Sequence, residues 1–230
     1  MNDDTLSSPA FEPLTFEQAR VLGCLMEKEV TTPDTYPLTL NSLVTACNQA
    51  TNRDPVVAFA EVTVQDALDV LKARQFVYQL TQAGARVQKF KHNIMGKFPA
   101  LNAPEKALLC TLLLRGAQTV GELRQRTERL HPFADLASVE YSLQKLLSSE
   151  NDMALAVMFP PGNGRKSASY MHTLCGEPLA PVVGAAVQVE AAAAVSNYRE
   201  EEKQWREKME QEVAELRAEL KALKQTLGEA

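Results

Sequence analysis

The chain has 230 residues and a net charge of -5, with 45% hydrophobic and 23% charged residues, as is typical of a globular protein of one or two domains. The acidic balance argues against a strongly basic nucleic-acid-binding domain, and the four cysteines form no CxxC pair of the kind that binds zinc or exchanges disulfides. No run of roughly 20 apolar residues, the length of a membrane span, and no signal-peptide core is present. We therefore expect a cytoplasmic protein without a membrane partner.

The same order of elements occurs twice along the chain. Residues 15–98 and 99–177 each have the pattern of three helices followed by a strand, a turn and a strand. This order is typical of a winged helix, a helix-turn-helix variant with an added hairpin. The sequence therefore predicts an α+β fold, mainly α with small β-hairpins. It comprises a disordered N-terminus (1–14), two tandem winged-helix domains, a linker (178–190) and a C-terminal helix (191–230). One continuous α+β domain without a repeat is the alternative.

The first helix of each copy is predicted from a cap followed by an apolar face. Thr15 and Gln18 form a capping-box pattern, and Glu105 takes the capping position after Asn102 and Pro104 in the second copy. The apolar positions that coincide are Val21, Leu22, Leu25 and Met26 in the first copy, and Leu109, Cys110, Leu113 and Leu114 in the second.

The second and third helices also match between the copies. Thr39 and Thr119 are predicted N-caps of the second helices, and Thr63 and Ser138 are predicted caps of the third. The inward apolar residues of the third helices are Val64, Leu68 and Leu71 in the first copy, and Val139, Leu143 and Leu146 in the second.

A β-hairpin, or wing, is predicted after each third helix. In the first copy its strands are residues 76–80 and 86–90, and in the second they are residues 154–159 and 169–174. Glycines mark both turns, and the second wing is the longer one.

The end of the chain has a heptad pattern. Its apolar residues are spaced alternately by four and three positions: Met209, Val213, Leu216, Leu220, Leu223 and Leu227. We expect a short coiled coil that makes the protein a homodimer. The alternative is a solvated helix that docks on its own domain.

Candidate nucleic-acid contacts lie mainly in the wings, because the third helices are not basic. Asp66 and Asp69 face outward on the first of these helices, where carboxylates would repel phosphates. Flexible basic loops can instead bind phosphates without sequence preference. The candidate residues are Arg53, Arg86, Lys89, Lys91, Lys97, Gln144, Lys145, Arg165 and Lys166. A solvated surface is the alternative for each, and Arg53 has the further alternative of a local pair with Asp54.

No pattern in the sequence indicates catalysis. His92, His131 and His172 lack metal-ligand spacing, and no phosphate-binding loop, dinucleotide fingerprint or nucleophile elbow occurs. Cys24, Cys47 and Cys110 fall in predicted helices, so we expect them to be small buried apolar residues. We expect no enzyme activity, metal or cofactor.

Four stretches carry a resemblance to a known family: residues 36–56, 91–93, 104–124 and 165–176. At these residues the chain resembles the YceH family of bacterial proteins, over about residues 15–177. The resemblance implies tandem winged-helix domains of the kind found in DNA-binding proteins. It implies no catalytic residue and no cofactor.

Two functions are compatible with this pattern. The first is association with double-stranded DNA, as in transcriptional regulation, where a dimer would bind a palindromic site. The alternative is a protein–protein adaptor that uses its winged helices as docking surfaces, as in chromosome-segregation accessory proteins. Basic wings favour DNA, whereas the near-neutral halves and the acidic third helix favour the adaptor.

Overall fold

The computed structural model describes residues 11–80, 87–148, 153–162 and 166–176. In these residues the predicted α+β class is confirmed, since helices alternate with small antiparallel strand pairs. The first segment consists of α1 (Phe16–Thr31), α2 (Leu40–Cys47), α3 (Glu61–Ala73), β1 (Val77–Leu80) and β2 (Lys89–His92).

A one-turn helix, α4 (Ile94–Lys97), leads into a second segment with the same order. That segment consists of α5 (Ala103–Arg115), β3 (Gln118–Thr119), α6 (Val120–Arg126), α7 (Leu136–Leu147), β4 (Ala156–Phe159) and β5 (Ser169–His172). Both segments thus contain three helices and a hairpin, as expected. Their division into two winged-helix domains at residues 98 and 99 stays a prediction.

Each hairpin is joined by the residues that precede the second helix of its segment. β1 pairs with β2, and β5 lies between β3 and β4, all antiparallel. Gln118 pairs with Tyr170 in β5, and Leu38 forms a bridge with Phe90 in β2. These contacts were not predicted from the sequence, and they tie the start of the second helix to the hairpin in both segments.

Most predicted caps are confirmed, but two are corrected. Thr15, Thr39 and Thr119 cap their helices through side-chain oxygens, and Asn102 and Glu105 form a capping box. The predicted caps of the third helices lie inside those helices instead. The N-cap of α3 is Ala60, three residues before Thr63, and the N-cap of α7 is Asp135, three residues before Ser138.

Each correction has a local cause. The Asp135 carboxylate accepts a hydrogen bond from the Ser138 backbone N–H at 2.8 Å, and negative charge is favourable at a helix N-terminus. The Asn48 side chain holds both backbone groups of Phe59, at 2.7 and 2.8 Å, and so fixes where the chain enters α3.

The first hairpin begins its second strand later than predicted. β2 runs from Lys89 to His92 rather than over residues 86–90. His92 closes the strand opposite Val77, and its backbone N–H donates to the Tyr36 hydroxyl at 2.8 Å. This long-range contact, which links residues 56 positions apart, extends the strand beyond its apolar run.

The core is continuous across both segments. All six predicted inward residues of α3 and α7 are fully buried, and residues of both segments belong to one hydrophobic cluster. Cys24, Cys47 and Cys110 are buried as predicted, whereas Cys175 is exposed. α1 packs against α5, where Gly23 faces Leu113 and Leu114.

Residues 11–14 of the predicted disordered N-terminus are packed. The Leu14 N–H donates to the Leu174 carbonyl at 2.7 Å, and the Phe11 ring lies edge-on to Phe76. Residues 1–10, the predicted linker, the C-terminal helix and the heptad seam lie outside the described residues. Among the residues that are described, no helix is both long and apolar enough to span a membrane.

The close approach of α1 and α5 predicts a position-specific effect of glycine replacement. A Cβ at Gly23 would lie 2.9 Å from Leu114 Cδ2 and 3.1 Å from Leu113 Cβ. We expect Gly23→Leu to lower the free energy of unfolding by about 3 kcal/mol, because overpacking forces both helices to shift. Urea denaturation followed by circular dichroism measures this change.

Gly121→Leu is the matched control. A Cβ at Gly121, in α6, meets no atom within 4 Å, so a better helix former there should be neutral or stabilise by up to about 1 kcal/mol. Equal destabilisation by the two substitutions would contradict the close α1–α5 contact.

Candidate functional site

The outer surface of α3 combines apolar and acidic side chains. Because the inward residues of this helix are buried, the residues half a turn away point to solvent. We call this surface the α3 face; it consists of Val62, Asp66, Asp69, Val70 and Ala73. Val62 is 64% exposed and Val70 is 40% exposed.

The charge on the α3 face is negative. Asp69 lies 2.7 Å from Lys72 Nζ at the edge of the face and accepts a hydrogen bond from Gln65 at 3.1 Å. The bond from Lys72 is the main cause that lowers the pKa of Asp69. Asp66 is exposed on the same side. The face therefore offers carboxylates and apolar surface, and no basic side chain among its five residues.

The corresponding surface of α7 is different in chemistry. Gln144 is exposed, as predicted for a contact residue, and Tyr141 is 68% exposed. Lys145 is turned toward its own chain: its Nζ lies 3.5 Å from Oε1 of the buried Glu105 and 5.1 Å from the Tyr141 ring centroid. The cation predicted to contact nucleic acid is thus already engaged.

The first hairpin brings two of the predicted basic residues together. Lys91 lies opposite Tyr78 and Lys89 opposite Leu80, while Phe90 between them points into the core. Lys91 Nζ lies 5.7 Å from the Tyr78 ring centroid. Alternation along the strand therefore gives the hairpin one outward side with two lysines and an aromatic ring.

The remaining wing candidates are more scattered. Lys97 is exposed, and its Nζ lies 5.2 Å from the Phe76 ring centroid. Lys166 is exposed in the second hairpin. Arg86 and Arg165 lie outside the described residues.

Arg53 is corrected from a surface contact to a buried ion pair. It is 5% exposed, and its two terminal nitrogens donate to the Glu27 carboxylate at 2.7 and 3.1 Å. Its Nε donates to the Ala46 carbonyl at 3.0 Å. Arg53 therefore pairs neither with a phosphate nor with Asp54, because its hydrogen bonds are used inside the protein.

The Glu27–Arg53 pair stays charged in spite of its burial. Burial alone would raise the pKa of Glu27, but the hydrogen bonds and charge of Arg53 outweigh it and lower that pKa. In the same way, burial would lower the pKa of Arg53, and the bonds to Glu27 raise it instead. Each partner thus depends on the other to remain ionised.

Breaking this pair should be costly. We expect Glu27→Gln to lower the free energy of unfolding by about 3 kcal/mol, because it leaves the Arg53 charge buried without compensation. Glu17→Gln, in the first turn of the same helix, should cost no more than about 1 kcal/mol. Chemical denaturation measures both.

The double substitution Glu27→Leu with Arg53→Met separates charge from packing. It should be more stable than Glu27→Gln, since it removes both buried charges. If the double variant were the less stable of the two, the cost would lie in packing and not in the unpaired guanidinium.

The histidines occupy separate environments. His92 and His172 end the second strand of their hairpins at equivalent positions, whereas His131 lies in the loop before α7 beside the Phe133 ring. His92 Nε2 lies 3.0 Å from Glu29 Oε2. In the described ranges, no three His, Cys, Asp or Glu side chains come together as metal ligands.

Burial of His172 predicts a pH-dependent stability. Burial lowers the pKa of His172 to about 4, and its Nδ1 is without a hydrogen-bond partner within the described part of the chain. In the unfolded chain, His172 takes up a proton near pH 6.5. In the folded protein, the same imidazole is not protonated until about pH 4. Stability should therefore fall by up to about 3 kcal/mol as pH drops through this window.

His172→Gln removes this proton uptake. We expect its stability profile, measured by urea denaturation between pH 4 and 6.5, to be flatter than that of the wild type. His131→Gln should keep the wild-type slope. Parallel profiles for His172→Gln and the wild type would assign the pH dependence to another group.

The fold defines an α+β protein in which two helix–helix–helix–hairpin segments share a core and expose unlike helix faces. The chain belongs to the family described as "Protein of unknown function, DUF480", whose model matches residues 14–164. The family relationship inferred from the YceH resemblance is thereby confirmed.

Bacterial relatives are similar over nearly their whole length. The UPF0502 protein YceH of Salmonella paratyphi B is 44% identical over 220 residues, which cover 94% of this chain and 98% of the relative. A UPF0502 protein of Vibrio parahaemolyticus is 45% identical over 214 residues, 92% of this chain and 94% of the relative. One of Vibrio atlanticus is 47% identical over 221 residues, 91% and 96% respectively.

Proposed function

We propose that this protein is a non-enzymatic adaptor built from tandem winged-helix units. The α3 face binds a basic, partly apolar segment of a partner protein. The observation that carries this proposal is the composition of that face, which combines two exposed valines with two aspartates.

The α3 face is poorly suited to reading DNA. A DNA-reading helix places polar or basic side chains against base edges and phosphates. Asp66 and Asp69 would instead bring negative charge toward the phosphates. Exposed apolar side chains contribute most to binding when a protein surface covers them, because burial of a valine contributes about 1.5 kcal/mol of binding free energy.

The two kinds of side chain on this face have different roles. Val62 and Val70 supply the apolar area that a partner covers. Asp66 and Asp69 attract lysine or arginine and repel acidic segments, so they act more on association rate and partner choice than on affinity. We therefore expect a partner segment in which basic and apolar residues alternate on one side.

Affinity capture with matched variants tests the adaptor. Full-length bait protein is cross-linked in cells, and captured proteins are quantified by mass spectrometry. We expect Val62→Asp with Val70→Asp to reduce one captured partner at least about tenfold, since it removes the apolar contacts. Asp66→Lys with Asp69→Lys should do the same through repulsion of a basic segment.

Val56→Asp is the control. Val56 is exposed outside α3, so this substitution adds a charge without altering the α3 face. Capture that is equally strong with all three variants, or cross-links that map to an acidic segment of the partner, would contradict the adaptor proposal.

DNA association is a second candidate, favoured by the first hairpin. Its outward side places Lys89 and Lys91 beside Tyr78, a set that suits phosphate contacts without sequence preference. Lys166 is exposed in the second hairpin and could add to them.

Salt titration of duplex binding tests this candidate. If the first hairpin binds DNA, Lys89→Gln with Lys91→Gln should weaken binding to a labelled random-sequence duplex and reduce the log–log salt slope by about 2. Asp66→Lys should leave the slope unchanged or raise it. An unchanged affinity and slope in the lysine variant would exclude the hairpin as a DNA contact.

A further inference from the structure

A polar groove lies where the two segments meet. It consists of two adjoining cavities, of about 410 Å³ and about 250 Å³, which share Glu27, Thr31, Asn52 and Arg129 in their walls. The walls come from the end of α1, the loop after α2, the end of α5, and α6 with the turn that follows it. The larger cavity is within the size range of small-molecule sites.

Positive charge dominates this groove, although the chain as a whole is acidic. Lys28, Arg115, Arg126 and Arg129 line the two cavities, and Glu27 is the one carboxylate of their described walls. Glu27 is already held by both terminal nitrogens of Arg53. We call this place the arginine groove, after Arg115, Arg126 and Arg129.

The arginines of the groove are only partly engaged. Arg126 lies 3.3 Å from Glu122, and Arg115 donates a hydrogen bond to the Asn52 side chain. No ion pair joins Arg129 to the described residues, and its side chain borders both cavities. Arg129 is therefore the cation best placed to reach a bound anion.

The positive charges also repel one another. Burial, together with the nearby charges of Arg126 and Arg53, lowers the pKa of Arg115. Asp54 and Glu27 oppose this effect without overcoming it. A cavity in which cations destabilise each other is one in which a bound anion is favourable.

Three of these cations lie at the C-terminal ends of helices. Arg115 ends α5, because Gly116 follows with a φ of 70°. Arg126 ends α6, and Lys28 lies in the last turn of α1. Positive charge near a helix C-terminus is favourable by itself, but that explains one cation for each helix. It does not explain why three helix ends meet at one groove, nor Arg129 beyond α6.

We propose that the arginine groove binds a phosphate-bearing ligand, either a free nucleotide or a phosphate group of a nucleic-acid backbone. Guanidinium groups bind phosphate oxygens in pairs with fixed geometry, and three of them converge here. Asn52, Gln49 and Gln125 line the same cavities and add amide donors. The site shares no residue with the α3 face and is independent of the adaptor proposal.

Calorimetric titration of the full chain with inorganic pyrophosphate at low salt tests the site. We expect binding by the wild type, about tenfold weaker binding by Arg129→Gln, and about hundredfold weaker binding by Arg126→Gln with Arg129→Gln. Arg124→Gln is the control: it removes the same charge from α6, the helix of Arg126, but outside the cavities, and should stay within about twofold of the wild type. Val62→Asp with Val70→Asp should bind like the wild type.

The same titration with adenosine triphosphate and with a short DNA duplex distinguishes the two sources of phosphate. Tighter binding of the nucleotide than of pyrophosphate assigns a free nucleotide, whereas duplex binding that is lost in the double arginine variant assigns a nucleic-acid backbone. The proposal would be overturned if the folded wild type bound none of the three ligands. So would an equal loss in Arg124→Gln, which would indicate general charge attraction.

Discussion

The packing of α1 against α5 is the contact on which the other features depend. Gly23 leaves room for Leu113 and Leu114, and the Cys110 thiol donates to the Gly23 carbonyl at 3.4 Å. Each of these two helices is also the first helix of its segment, so it packs against its own third helix as well. One close helix crossing thus links both sets of inward residues in a single core.

Ion pairs near the C-terminal end of α1 add to its contact with α5. Glu27 binds Arg53 from the loop after α2, and Glu29 lies 2.7 Å from Lys106 in α5 and 3.0 Å from His92 in β2. The close contact with the His92 imidazole, aided by Lys106, outweighs partial burial and lowers the pKa of Glu29 to about 2. Both carboxylates therefore remain ionised at neutral pH, and these two side chains near the end of one helix orient the loop, the hairpin and the second segment.

What could be predicted from the sequence was local in origin. The N-caps of α1, α2 and α6 were predicted correctly at Thr15, Thr39 and Thr119, because a cap depends on the residues three positions along. Inward positions of α3 and α7 were also correct, since helical periodicity alone decides them. The cap of α7 was misplaced although Asp135 lies only three residues before Ser138, whereas two other errors involve distant partners. The strand end at His92 depends on Tyr36, and the burial of Arg53 depends on Glu27, 26 residues away.

The candidate site was harder to predict for the same reason. Arg115, Arg126 and Arg129 belong to two helices and a turn, and nothing in their spacing relates them to Asn52 or Glu27. The exposed valines of α3 could have been found, because the opposite side of that helix was already identified as buried. The charge pattern identified the aspartates as outward residues, whereas their exposed apolar neighbours were not predicted.

Comparison of α3 with α7 distinguishes the residues that packing constrains from those that it leaves free to vary. Val64, Leu68 and Leu71 have counterparts of the same residue type in α7, and burial accounts for all of them. The outward positions diverge: Asp66 corresponds to Tyr141, and Asp69 to Gln144. Since packing does not constrain these residues, one shared partner would favour similar chemistry on both helices. Their difference argues that the two segments provide one scaffold with two unlike surfaces, of which the α3 face is the one with two aspartates beside two exposed valines.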